Sequence, residues 1–186
     1  MKKLVLILPI ILVCALTVDA AGPKTMTRTV PANDIDTLDL DSGVGDVTIT
    51  ARDGLDEVAI EVVLTPRRGG IFSSKRRAER DVEAASLEAA VKRESLRLRI
   101  SPTDEEDRRF EERWIIEMPS RLRVELEHGV GDVVIEGAAG GVELDAGVGD
   151  VDVEVPEGDV TIDLGVGTAV VRAPAAVYDF AEAAGG

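Results

Sequence analysis

The sequence predicts a mostly β fold: a repetitive β-solenoid of 18-residue coils with one inserted α-helix. Three observations carry this. Gly-Val-Gly recurs at Gly129, Gly147 and Gly165, each 18 residues after the last, and once more at Gly43. Aligned on that spacing, residues 122–139, 140–157 and 158–175 agree beyond the glycines: Val124, Val142 and Val160 coincide, as do Leu126, Leu144 and Ile162, then Ile135, Val153 and Val171. Within each copy the period is two, as Leu122, Val124 and Leu126 alternate with Arg121, Arg123 and Glu125, which is the pattern of a half-buried strand. A fixed period of this size marks stacked units. Each unit then holds two short strands, with equal positions of successive coils one strand apart, about 4.8 Å. An antiparallel meander of hairpins is the alternative. Repeated inward residues favour the solenoid, because each coil rests directly on its copy.

The elements follow in chain order. Lys2 and Lys3, the apolar run 4–16 and the small-residue end Val18-Asp19-Ala20 have the three parts of a secretory signal cleaved after Ala20. A membrane span needs roughly 20 apolar residues, so residues 21–186 are expected to form one exported domain that does not cross a membrane. Cys14, the only cysteine, lies inside the apolar run, which leaves the mature chain without disulfides. It follows Val13, whereas a lipoprotein signal resembles a run with Gly, Ala or Ser before the lipidated Cys, so lipidation is disfavoured.

A fourth copy spans 36–53, where Leu38, Leu40, Val44, Val47 and Ile49 take the repeat offsets. Val58, Ile60 and Val62 mark another strand, and 67–71 is a turn-rich link. Residues 74–93 read as a helix: Ser74 can cap it, alanine is abundant, and Val82, Ala85 and Ala89 recur at helical spacing. That helix is expected to cover a side or an open end of the strand stack, which blunts an edge prone to pairing. Leu96, Leu98 and Ile100 resume the strand pattern, 103–113 reads as a charged loop or hairpin tip, and 114–118 leads through Pro119 into the repeats. In the first of these, Leu122, Val124, Leu126, Val130, Val133 and Ile135 are the expected inward residues. Gly43, Gly45, Gly129, Gly131, Gly147, Gly149, Gly165 and Gly167 supply the positive φ that tight corners need.

Composition narrows function. Against 21 Lys+Arg the 186 residues carry 36 Asp+Glu, a net charge of −15, which argues against a nucleic-acid partner held by phosphate neutralisation. Aromatic residues are 3%, too few to line a sugar-binding groove. With one His and one Cys, His-dependent catalysis and zinc sites lose most of their material. No cofactor is expected, and the chain is expected not to be an enzyme.

Asp46, Asp132 and Asp150 directly follow a corner glycine. A calcium roll wants Gly-Gly-x-Gly-x-Asp, with the Asp two residues after the last Gly, and that motif is absent. The favoured reading is that each Asp satisfies backbone donors at its corner. Asp132 and Asp150 remain weak candidates for a divalent metal, and a glycosidase acid–base pair is the least favoured, for want of an apolar pocket to raise one pKa. His128 holds the position of Ala146 and Leu164, which makes it a corner residue, partly buried. Arg67, Arg68, Lys75, Arg76, Arg77 and Arg80 form one basic cluster: a solvated helix start, or a patch for an anionic partner. The stacked register sets Glu125 beside Glu143 and Glu127 beside Asp145 and Asp163, so salt is expected to stabilise the chain.

An export signal, an alternating segment ending in Ser42-Gly43-Val44-Gly45-Asp46-Val47, a central charged insertion, a strand closing at Met118-Pro119 and then Gly-Asp-Val repeats form a series. Together they resemble the putative-adhesin family of bacterial β-strand-repeat proteins, the DUF4097 family, over residues 30–171. The resemblance implies an elongated β-solenoid-like domain at the bacterial cell surface or envelope and brings no catalytic residues. The segment 175–186 departs from it by lacking further strands. The expected product is an exported module, periplasmic, cell-surface or secreted, that is non-enzymatic and adhesin-like. Its partner is expected to be an envelope component: protein, polymer or lipid headgroup. The alternatives are a cation-dependent envelope assembly or sensor domain and, further off, a polysaccharide-active β-solenoid enzyme.

Overall fold

The computed structural model describes residues 22–67, 75–101, 109–173 and 178–182. The signal segment, Cys14, Arg68 and Ser74 lie outside the described residues. Alternating burial builds the N-terminal strands β1 (Lys24–Pro31), β2 (Thr37–Arg52) and β3 (Glu57–Pro66). The helix α1 (Lys75–Ala84) precedes β4 (Ser86–Lys92), β5 (Ser95–Ser101) and β6 (Phe110–Pro119). The repeats supply β7 (Arg123–Val130), β8 (Val133–Glu136), β9 (Val142–Val148), β10 (Val151–Glu154), β11 (Val160–Val166) and β12 (Ala169–Arg172), followed by β13 (Tyr178–Glu182).

The strands form one open mixed sheet, because β2 belongs to two leaves. Its second half lies in the leaf β1-β3-β6-β2-β8-β10-β12. Its first half lies in the leaf β4-β5-β2-β7-β9-β11-β13. From β6 and β5 onward every pairing is parallel, while β1, β3 and β4 close the other side with antiparallel pairs. Inward residues of both leaves merge into one hydrophobic cluster, with Trp114, Leu38, Ile49, Leu98 and Leu122 fully buried.

The parallel pairs run in register at the 18-residue spacing. Leu40, Leu126, Leu144 and Ile162 form one column, and Val47, Val133, Val151 and Ala169 another. The copy at 36–53 therefore lies directly against the copy at 122–139, although 86 residues separate equivalent positions such as Asp46 and Asp132.

Four expectations are corrected. The helix ends at Ala84 and does not reach residue 93. Leu87, Ala89 and Val91 instead join β4, opposite Ile100, Leu98 and Leu96, because a waiting strand partner outweighs helix propensity. Of its spacing set, Val82 and Ala85 are buried in the main cluster, while Ala89 belongs to the strand. Residues 111–113 are not loop: Phe110, Glu112, Trp114, Ile116 and Met118 alternate inward along β6. Val130 points outward, 44% exposed, since a corner flanked by two glycines turns its middle residue away from the core. The segment 175–186 contains β13, which pairs in parallel with β11, Ile162 opposite Phe180.

Two side chains tie the antiparallel side together. Lys24 Nζ donates to the carbonyls of Glu83 at 2.9 Å and Ala85 at 2.6 Å, placing a cation at the C-terminus of α1. The Arg121 guanidinium, just before β7, donates to the carbonyls of Ile35 and Ala32 and so fixes the β1–β2 loop.

Candidate functional site

The corner between the two leaves is where sequence repetition is strongest. Gly131 has φ +138° and Gly149 φ +149°, and a Cβ at either would lie 1.8 Å from the carbonyl oxygen of the preceding corner's glycine. Backbone stacks on backbone here, so only glycine fits. Of the expected turn glycines, only Gly45, Gly131, Gly149 and Gly167 take positive φ. Gly129, Gly147 and Gly165 are instead required by close contact with the backbone of the preceding repeat, where a Cβ would lie 2.4–2.6 Å from a carbonyl oxygen, and Gly43, the first of that set, does not take positive φ either.

The aspartates next to those glycines link successive repeats. Asp46 Oδ1 accepts the backbone N–H of Asp132 at 3.4 Å, Asp132 Oδ1 that of Asp150 at 3.1 Å, and Asp150 Oδ1 that of Thr168 at 3.0 Å. The weak metal candidates Asp132 and Asp150 are therefore rungs of a side-chain ladder. Among the described residues no three His, Cys, Asp or Glu side chains come together to hold a metal ion.

Beside the ladder the valines of the three C-terminal corners turn outward. Val44, Val130, Val148 and Val166 share one column. A second acidic column, Glu127, Asp145 and Asp163, flanks them on the other leaf, all three exposed, with the half-buried Asp41 at its head. The column next to it carries its own cations: Arg97 donates to Asp39 at 2.9 Å, and Arg123 lies 2.8 Å from Glu143 and 3.7 Å from Glu125. At the β4 end, hydrogen bonds from Arg99 and Ser101 hold the Glu88 carboxyl below the usual range.

Inside the corner, His128 is buried opposite Ser42 on β2 and Ala146 on β9. Neither imidazole nitrogen nor the Ser42 hydroxyl has a well-formed hydrogen bond among the described residues. Burial pushes the His128 pKa below its ordinary value, against smaller opposing pulls from the Gly131 backbone and the Asp46 and Asp132 charges. Beside His128 and Ser42, a third buried polar residue was not anticipated from the sequence: Glu112 accepts a 2.9 Å hydrogen bond from Trp114 Nε1 within the core. The inward alternation from Phe110 to Met118 was the available signal.

The basic cluster is only partly brought together. Arg76, Arg77 and Arg80 are exposed on α1, where Arg80 Nε donates to the Arg76 carbonyl at 3.2 Å. Arg67 is exposed just past β3, and its backbone N–H donates to the Arg109 carbonyl. Arg68 and the Lys75 side chain lie outside the described residues.

No family model and no curated protein matches the sequence. The fold is similar to the crystal structure of a putative cell adhesion protein from Clostridium sporogenes, with TM-score 0.53 and 18% identity over 82% of this chain and 73% of that one. A putative adhesin from Parabacteroides distasonis matches 84% of this chain and 70% of its own, at 12% identity and TM-score 0.43. The first likeness establishes a shared fold. Among the described residues no helix is long and apolar enough to cross a membrane.

Proposed function

We propose that the chain is an exported, non-enzymatic, adhesin-like interaction module of the bacterial cell envelope, built as a β-solenoid with 18-residue coils. The observation that carries the reading is the in-register stack: one outward position is repeated coil after coil along an axis, as in Val130, Val148 and Val166. Such a scaffold presents a long, regular binding face. The corner carboxylates serve the scaffold, since each accepts a backbone N–H of the next coil. The shared fold with a protein named for cell adhesion agrees with this reading. Residues 1–20 are the export signal, and the mature chain starts near Ala21.

In this reading the exposed arginines of α1 contact an anionic envelope component, a lipid headgroup or a teichoic-type polymer. Clustered basic charge acts locally even on an acidic protein. The test is a pull-down of envelope components with the mature domain beside an Arg76→Glu, Arg77→Glu variant. Capture of an anionic component by the first and its loss in the second is the expected result. Equal capture by both would reject the patch, and capture of nothing above a control protein would reject the module.

A further inference from the structure

We propose that the corner ridge of Val130, Val148 and Val166 is a docking surface for a basic amphipathic α-helix laid along the stacking axis. The proposal rests on the interaction-module reading and adds to it a site and the chemistry of a partner. The three valines occupy one column and are 44%, 45% and 66% exposed. A corner position in water favours polar residues. A single exposed valine needs no explanation, but a continuous apolar strip rimmed by charge marks an interaction surface. All four repeats keep the valine, and the three C-terminal ones turn it out, while Val44 at the head of the column is half-buried.

Charge selects the partner. Asp46, Asp132 and Asp150 run along one side of the ridge and Glu127, Asp145 and Asp163 along the other, all exposed. Packing two ridges from two copies would bring four acidic rows into one contact, and like-charge juxtaposition is a strong penalty at an interface. A segment with an apolar stripe between two rows of Lys or Arg neutralises both sides at once.

Spacing selects the conformation. Successive valines stand one strand apart, about 4.8 Å. Helix positions i, i+3 and i+7 rise about 10.5 Å over two steps, within about 1 Å of the two strand spacings they must follow. Same-face residues of an extended strand repeat at about 6.8 Å and drift by about 2 Å at each step. A helix keeps its stripe on the ridge, and a strand does not.

The test uses a fluorescently labelled lysine–leucine peptide with its leucines on one helical face, and a scramble of the same composition without a stripe. Each is titrated with the protein and with a Val130→Thr, Val148→Thr, Val166→Thr variant, which keeps β-branching and every charge. The striped peptide should bind the protein at least about tenfold tighter than the scramble, and the variant should lose that preference. A thermal melt of the variant close to the parent's shows that the fold is intact. Equal binding of both peptides, or an unchanged preference in the variant, would overturn the proposal by reducing it to bulk charge. Self-association of the parent that the variant abolishes, with no peptide bound, would also overturn it by giving the ridge to a second copy. Because the probe is a defined peptide and the α1 arginines are untouched, an empty envelope pull-down and a failed ridge titration are separate results.

Discussion

Asp132 accepts the backbone N–H of Asp150 through Oδ1 at 3.1 Å, so the carboxylate of one corner holds the backbone of the next. Asp150 does the same for Thr168. The bond satisfies a donor that the glycine corner leaves outside the regular strand pairing. Asp132→Ala should therefore lower stability by about 1 kcal/mol, discounted for exposure, whereas Asp132→Asn keeps an acceptor oxygen and should cost less than half as much. Urea unfolding of both variants checks this. An equal loss in the two would assign the effect to charge and not to the hydrogen bond.

The β4–β5 hairpin turns through Arg93 at φ 51° and Glu94 at φ 67°, two side-chain-bearing residues in the left-handed region. Lys92 pairs with Ser95 across them, which makes a two-residue loop. Such loops favour Asn-Gly, and each ordinary residue held there costs on the order of 1 kcal/mol. Replacing Arg93→Asn together with Glu94→Gly should raise stability by about 1 kcal/mol in chemical denaturation. A loss would mean that the Arg93 or Glu94 side chain makes a contact worth more than the strain.

The column register was legible because inward residues repeat: Leu126, Leu144 and Ile162 must meet the same neighbours in each copy, and they pair as aligned. What local pattern could not carry was competition between partners. Ala89 suits a helix with Val82 and Ala85 as well as a strand with Leu87 and Val91, and only the position of β5 decides. Glu112 was obscured by its charged neighbours, although its burial beside Trp114 follows from simple alternation. The corner was half-legible. Its repeated glycines and aspartates stand out in the sequence, but which of the glycines take positive φ and the outward turn of Val130 depend on backbone stacking between repeats, which a single copy does not reveal.

His128 gives the chain a built-in acid sensitivity. Its imidazole is buried in the column Ser42, His128, Ala146, with Asp46 and Asp132 the charged groups that act on it. Burial, the largest influence, lowers the folded pKa below the ordinary 6.5. Below that pH the unfolded chain takes up a proton that the folded chain resists, so stability falls with pH until the folded pKa is passed. Above pH 6.5 the contribution is complete. His128→Ala, which installs the residue of the next repeat, should gain stability relative to the parent as the buffer is taken from about pH 7.5 to 5. The comparison cancels carboxylate titrations common to both proteins. A difference between the two urea curves that stays constant with pH would mean that the imidazole titrates alike folded and unfolded.

Glu127, Asp145 and Asp163 stand in one exposed column, and among the described residues no cation pairs with them. The neighbouring column shows the usual remedy, with Arg123 set between Glu125 and Glu143. Like charges about 4.8 Å apart on a wet surface cost on the order of 1 kcal/mol per pair. Asp145→Lys turns two repulsive neighbours into attractive ones and should raise the melting temperature at low salt, by an amount equivalent to about 1–2 kcal/mol. In about 1 M sodium chloride the screening length drops to about 3 Å, shorter than the spacing, so the parent should gain more from salt than the variant does and the lead should shrink. Calcium chloride at matched ionic strength should add little beyond this for either protein. A lead that persists unchanged at high salt would show that Asp145→Lys acts through packing or strand propensity. A saturable calcium stabilisation of the parent, absent in the variant, would instead make this column a true cation site.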